Sequence, residues 1–111
     1  MIYIVEDNPA IAETIQAYLQ LAGYTTEVFG KCAGVIESLE YKHPRLCILD
    51  VMLPDGDGFL LAKQIHAYDM SIPFIFLTAR ESESDRITGL ELGSEDYIVK
   101  PFSPKELVLR V

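Results

Sequence analysis

The chain has 111 residues, half of them hydrophobic, and a formal net charge of −8. That length supports one core and one domain, and the acidic balance argues against direct gripping of nucleic acid, which draws its affinity from clustered Lys and Arg. Apolar runs such as Ile2 to Val5 and Phe74 to Leu77 fall far short of the roughly 20 residues that cross a bilayer, and no signal peptide or membrane partner is expected.

Taken in order, Ile2-Tyr3-Ile4-Val5 is apolar on both faces and predicts a central parallel strand that ends on Glu6-Asp7. Asn8-Pro9 is a helix start, with Ile11, Ile15, Tyr18, Leu19 and Ala22 as its stripe and Gly23 as its stop. Thr25 to Phe29 has strand composition, and Cys32, Val35, Ile36 and Leu39 mark a second amphipathic helix, weakened by Gly34. After His43-Pro44, Leu46-Cys47-Ile48-Leu49 reads as a buried strand delivering Asp50 to its end. Asp55 and Asp57 are assigned to the following turn and helix start, and a helix is predicted over Phe59 to Tyr68. Phe74 to Leu77 is another strand buried on both faces and ends on Thr78-Ala79. Ser84 to Leu92 is a helix stopped by Gly93, and Tyr97 to Val99 is a strand ending on Lys100-Pro101. Ser103-Pro104 opens a last helix, with Glu106 in the capping-box position. That helix is about two turns long at Val111, which suggests truncation from a longer protein. Cys32 and Cys47 lack metal or redox spacing and read as core thiols, which suits a reducing cytosol, the expected location. His43 and His66 have no ligand spacing and are assigned to solvent.

Five strand-helix units of about 20 residues each predict an α/β fold with an open parallel sheet and helices on both faces. In such sheets ligands bind beyond the carboxyl ends of the strands. Glu6, Asp7, Asp50, Thr78 and Lys100 all collect there. Each has an ordinary use when taken alone, as a solvated acid, a helix cap or a loop cation; their joint appearance at four strand ends singles them out. Three carboxylates would repel by roughly 3–4 kcal/mol per close pair at an effective dielectric constant of about 20. A hard divalent cation such as Mg²⁺ would neutralise them. Thr78, the backbone N–H after it and Lys100 complete a site for a tetrahedral anion, with the solitary Asp50 best placed as nucleophile.

Four segments together resemble a known family: Ile4-Val5-Glu6-Asp7-Asn8, Leu49-Asp50-Val51-Met52-Leu53-Pro54 with Gly56 and Gly58, Leu77-Thr78-Ala79-Arg80, and Asp96-Tyr97-Ile98-Val99-Lys100-Pro101-Phe102. In this order and spacing they resemble the receiver domain of bacterial two-component response regulators. The resemblance covers the whole chain, residues 1–111. It implies a three-layer (βα)5 flavodoxin-like or CheY-like fold, its five-stranded parallel sheet ordered 2-1-3-4-5. It implies a phosphoacceptor switch, catalysing its own phosphoryl transfer and dephosphorylation, in which Asp50 takes a phosphoryl group from the phosphohistidine of a sensor histidine kinase. Asp7, Asp50 and the backbone carbonyl of Met52 would hold Mg²⁺, or Mn²⁺ in its place, with Glu6 acting through water. Thr78, the Ala79 N–H and Lys100 would bind the phosphoryl oxygens, with Thr78 and Tyr97 as a switch pair and Lys100-Pro101 the candidate cis peptide. Met52 and Arg80 would tune phosphoryl lifetime. The segment from Asp85 to Leu107 is similar to the OmpR/PhoB-type subgroup, which implies a homodimer through the fourth helix, fifth strand and fifth helix and a C-terminal winged-helix domain that contacts DNA to regulate transcription. Arg86 with Glu106, and Asp96 with Arg110, are then the expected ion pairs between subunits. Glu6 and Glu95 stand where Asp is commoner in the family.

Two other readings use the same residues. A Mg²⁺-dependent phosphohydrolase passing through an aspartyl phosphate would need an acid-base residue two positions after the nucleophile, where this chain has Met52. A docking module independent of phosphorylation would not need the full site.

Overall fold

A computed structural model describes residues 1–80 and 82–111. Five parallel strands form the sheet: β1 (Ile2–Val5), β2 (Thr26–Phe29), β3 (Leu46–Leu49), β4 (Phe74–Thr78) and β5 (Asp96–Val99). Their order is β2-β1-β3-β4-β5, with β1 and β3 at the centre. The helices between them are α1 (Pro9–Leu21), α2 (Val35–Ser38), α3 (Gly58–Tyr68), α4 (Glu83–Glu91) and α5 (Pro104–Arg110). The expected fold and strand order are therefore present.

The two-residue period of a strand explains why uninterrupted apolar runs were needed. Tyr3, Val5, Cys47, Leu49, Phe74 and Phe76 point to one face of the sheet and join Leu61 and Ile65 of α3. Ile2, Ile4, Leu46, Ile48, Ile75 and Leu77 point to the other and join Ile15 and Leu19 of α1 and Leu107 of α5. Both faces are covered, as parallel sheets require, and each fully buried large apolar side chain contributes roughly 1.5–3 kcal/mol.

Helix starts follow local capping chemistry. Asn8 Oδ1 accepts from the N–H groups of Ala10 and Ile11 at 3.0 and 3.3 Å, with Pro9 in the first turn. Asp57 caps α3 by accepting from Phe59 N–H at 2.7 Å, and Ser82 caps α4 through Asp85 N–H at 3.2 Å. Ser103 accepts from Glu106 N–H at 3.4 Å, but the Glu106 carboxylate turns instead to Arg110 at 3.0 Å, so only half of the capping box forms.

Three expectations are corrected. The second helix is a single turn, because Gly34 adopts φ +89° and the Asp55 carboxylate draws the Cys32 and Ala33 N–H groups out of helical register, at 2.7 and 2.9 Å. Asp55 thus serves a neighbouring loop as well as its own turn, which itself forms a short antiparallel hairpin of Met52–Leu53 with Gly56–Asp57. His66 is half-buried: its ring meets the Phe74 ring edge-on at 4.5 Å, and Nε2 lies 3.1 Å from the Ile72 carbonyl. His43 is solvated as expected, 3.8 Å from Asp69.

Candidate functional site

Sheet bonding continues one residue past the carboxyl ends of β1, β3 and β5, and this places three of the polar side chains. Glu6 N–H donates to Phe29 O at 2.9 Å, Asp50 N–H to Val5 O at 3.0 Å, and Lys100 N–H to Thr78 O at 2.8 Å. Glu6, Asp50 and Lys100 are therefore each held by a backbone bond to the adjacent strand, which brings their side chains together.

Glu6 and Asp50 are 4% and 5% exposed and Thr78 is fully buried, whereas Asp7 lies open to solvent. One carboxylate oxygen from each of Glu6, Asp7 and Asp50 falls within 4.8 Å of the others. Lys100 Nζ donates to Asp50 Oδ2 at 2.9 Å and stands 2.5 Å from Glu6 Oε1. Asp50 Oδ1 accepts from Met52 N–H at 3.1 Å, so the Met52 peptide sits beside the carboxylate. Glu6 Oε2 accepts from Asn8 N–H at 3.1 Å.

Electrostatics leave this cluster incomplete. Three carboxylates against one ammonium leave two formal negative charges, the charge of one divalent cation. Burial pushes the Glu6 carboxyl up, despite the Lys100 hydrogen bond that opposes the shift. Burial would lower Lys100, but its bonds to Glu6 and Asp50 outweigh it and raise the ammonium's pKa, so the lysine stays charged. Glu6 Oε1 is buried, and its partner is the Lys100 ammonium, an ion pair at 2.5 Å that Lys100 shares with Asp50. Oxygen ligands of Mg²⁺ at about 2.0–2.1 Å lie up to about 4.2 Å apart across the ion. The 4.8 Å cluster needs only slight contraction to match, so the donor set fits a hard divalent cation.

The other expected residues surround this cluster. Thr78 Oγ1 accepts from Arg80 N–H at 3.2 Å, Ala79 is exposed at the end of β4, and the Lys100–Pro101 peptide is cis. The Tyr97 ring points inward and is 5% exposed, and its hydroxyl donates to the Arg80 carbonyl at 2.7 Å. Burial raises its pKa. On the face formed by α4, β5 and α5, Arg110 pairs with Asp96 and Glu106 of the same chain, while Arg86 stacks 5.8 Å from the Tyr97 ring.

Two contacts escaped sequence reasoning. Gly58, at the start of α3, lies so close to the Asp50 peptide that a Cβ there would meet the Asp50 carbonyl oxygen at 2.1 Å. Gly89, inside α4, forms the seat of Tyr97; a Cβ would lie 2.6 Å from its Cδ2. An isolated glycine within a helical pattern was the available signal for the second.

Comparison with known proteins agrees with this geometry. Residues 2–111 match the response regulator receiver domain. Over 110 residues the chain is 46% identical to the transcriptional regulatory protein CssR of Bacillus subtilis, covering 99% of this chain and 48% of CssR. It is 44% identical to the transcriptional regulatory protein CreB of Escherichia coli, covering 99% of this chain and 48% of CreB. The response regulator DrrB, a Thermotoga maritima OmpR/PhoB homolog, superposes with a TM-score of 0.85 at 28% identity over 97% of this chain and 48% of DrrB. The chain spans about half the length of these curated relatives. It belongs to the response regulator receiver domains, with homologues among two-component transcriptional regulators.

Proposed function

We propose that Asp50 is the phosphoacceptor of a signalling switch. The observation that carries this reading is the buried Asp50 carboxylate, held by Lys100 and gathered with Glu6 and Asp7 in a cluster whose charge one lysine does not balance. A carboxylate oxygen of Asp50 attacks the phosphorus of a phosphohistidine on a sensor histidine kinase. The new O–P bond forms as the P–N bond breaks, and the imidazole leaves with the electron pair. Lys100 shifts from the Asp50 oxygen to a phosphoryl oxygen. The Thr78 hydroxyl donates a hydrogen bond to a second, and the Ala79 N–H to the same group. Asp7, Asp50 and the Met52 carbonyl would hold Mg²⁺, or Mn²⁺, with Glu6 reaching it through water. When bound, the ion offsets charge on the transferring phosphoryl group.

Thr78 and Tyr97 then bias the α4-β5-α5 face. Dimerisation through that face would exchange the Arg110–Asp96 pair made within one chain for the same pair between chains, with Arg86 released from Tyr97 to meet Glu106. Such exposed pairs select register more than they add affinity. No described helix is long and apolar enough to cross a membrane; a cytoplasmic location suits this chemistry. DNA contact is assigned to a C-terminal output domain, in line with the longer relatives. The test is to phosphorylate the chain with acetyl phosphate and Mg²⁺, trap the acyl phosphate by borohydride reduction, and map the modified peptide. Modification at Asp50 supports the assignment; modification elsewhere overturns it.

A further inference from the structure

The backbone of one residue, Arg80, joins the two proposed switch residues. The Arg80 N–H donates to Thr78 Oγ1 at 3.2 Å, and the Arg80 carbonyl accepts from the Tyr97 hydroxyl at 2.7 Å. The position of that residue's backbone therefore bears on both partners. The Arg80 side chain is anchored on two sides. Its Nη2 and Nε donate to the two carboxylate oxygens of Asp85 at 2.7 and 3.2 Å, a two-pronged pair, and its guanidinium lies 5.6 Å from the centre of the Phe59 ring. Asp85 is in turn fixed by the Ser82 hydroxyl at 2.7 Å. Beneath the Tyr97 ring there is space only because residue 89 is glycine, and Phe76 closes the slot at 6.0 Å.

We propose that Asp85 is a positioning residue for the switch: by gripping the Arg80 guanidinium it fixes the Arg80 backbone and its carbonyl, and so holds the Tyr97 ring in the slot above Gly89 before any phosphoryl group arrives. An ammonium could not replace this grip, because two parallel hydrogen bonds need the planar fork of Arg. The ring's inward bias is then a property of the α4 start. The Ser82 hydroxyl and then Arg80 hold the Asp85 carboxyl below the usual carboxylate range, which keeps the grip charged at neutral pH. The inference rests on the Thr78–Tyr97 switch for its consequence in signalling, but its test does not require phosphorylation.

The experiment is fluorine NMR of the chain carrying 3-fluorotyrosine at its six tyrosines, with Tyr97→Phe identifying the Tyr97 resonance. Asp85→Asn and Arg80→Lys should each move that resonance toward the position of free fluorotyrosine and raise the outward share of the ring several-fold. Ser82→Ala, which removes the α4 cap and one support of Asp85 but leaves the two-pronged Arg80–Asp85 pair, should move it less than Arg80→Lys does. Arg80→Lys keeps the α4 start intact, so it decides the matter even where Asp85→Asn loosens the helix. An unmoved Tyr97 resonance in Arg80→Lys, or an equal shift in Ser82→Ala, would overturn the assignment. Mass measurement after acetyl phosphate on the same samples separates it from the phosphoacceptor reading. Failure of the unsubstituted chain to gain a phosphoryl group would count against Asp50 while leaving the ring result standing.

Discussion

Replacing Gly58 with alanine probes how tightly the fold seats the phosphoacceptor's own peptide. In a helix, Gly→Ala ordinarily stabilises by up to about 1 kcal/mol. Here the added Cβ would sit 2.1 Å from the Asp50 carbonyl oxygen and 2.8 Å from Val51 Cα. A relaxed carbon–oxygen contact is about 3.3 Å, so one of the two backbones must retreat by about 1.2 Å. Neither can do so freely. Gly58 N–H is bonded to Val51 O at 2.8 Å, and Asp50 N–H to Val5 O at 3.0 Å. Overpacking of this kind costs up to about 3 kcal/mol, so the net effect is a loss of roughly 2 kcal/mol. Urea unfolding at neutral pH should show the midpoint falling by about 1 M with an unchanged slope. Labelling of Asp50 by acetyl phosphate should slow in the folded variant, because the displaced peptide is the one that carries the nucleophile. A Gly58→Ala midpoint equal to or above that of the parent would refute the close-approach reasoning.

Asp7→Asn should stabilise the fold in metal-free buffer, since it removes one of three crowded carboxylates, and should also abolish stabilisation by Mg²⁺. In the parent that stabilisation is about 2.7 kcal/mol at a hundredfold excess over Kd; thermal melts with and without MgCl₂ read both effects, and a variant that keeps the Mg²⁺ response contradicts the cluster's role. Hydrogen bonds from Cys32 and Ala33 hold the Asp55 carboxyl below the usual range. Its contribution is complete above the unfolded value of about 3.9 and is lost as pH falls through the lower folded value. Asp55→Asn should therefore be less stable than the parent at neutral pH, with the gap shrinking below about pH 3.9; a gap in urea midpoint that stays constant into acid would count against this. Burial pushes the Cys47 thiol up to about 12 and, with Asp55 adding to it, Cys32 up to about 11. Both should react with a thiolate-directed reagent far more slowly in the folded than in the denatured chain, and rapid native labelling of Cys47 would contradict its burial.

The parts that sequence reasoning reached are those governed by local chemistry. Ile2 to Val5 and Phe74 to Leu77 could be assigned as central strands because no polar residue interrupts them, and the carboxyl-edge rule for parallel sheets then brought Glu6, Asp7, Asp50, Thr78 and Lys100 to one place. Asn8-Pro9 announced α1 through a cap that spans three residues. What escaped depends on contacts between distant segments. The shortness of α2 follows from Asp55 reaching back to Cys32, 23 residues earlier. His66 carries no sign in its own neighbourhood that Phe74 and Ile72 will enclose it. Arg80 was expected to tune phosphoryl lifetime, and nothing in the sequence indicated that its carbonyl receives Tyr97. Backbone atoms are the same in every residue, so only the folded arrangement reveals which of them face a partner.

The central claim is that Asp50 is a phosphoacceptor whose chemistry depends on the acidic cluster and a divalent cation. Intact-mass measurement after incubation with acetyl phosphate tests it most directly, with Mg²⁺ present, with EDTA in its place, and with Asp50→Asn. The account predicts a single added phosphoryl group in the first sample and none in the other two. Addition that persists in EDTA or in Asp50→Asn would contradict it.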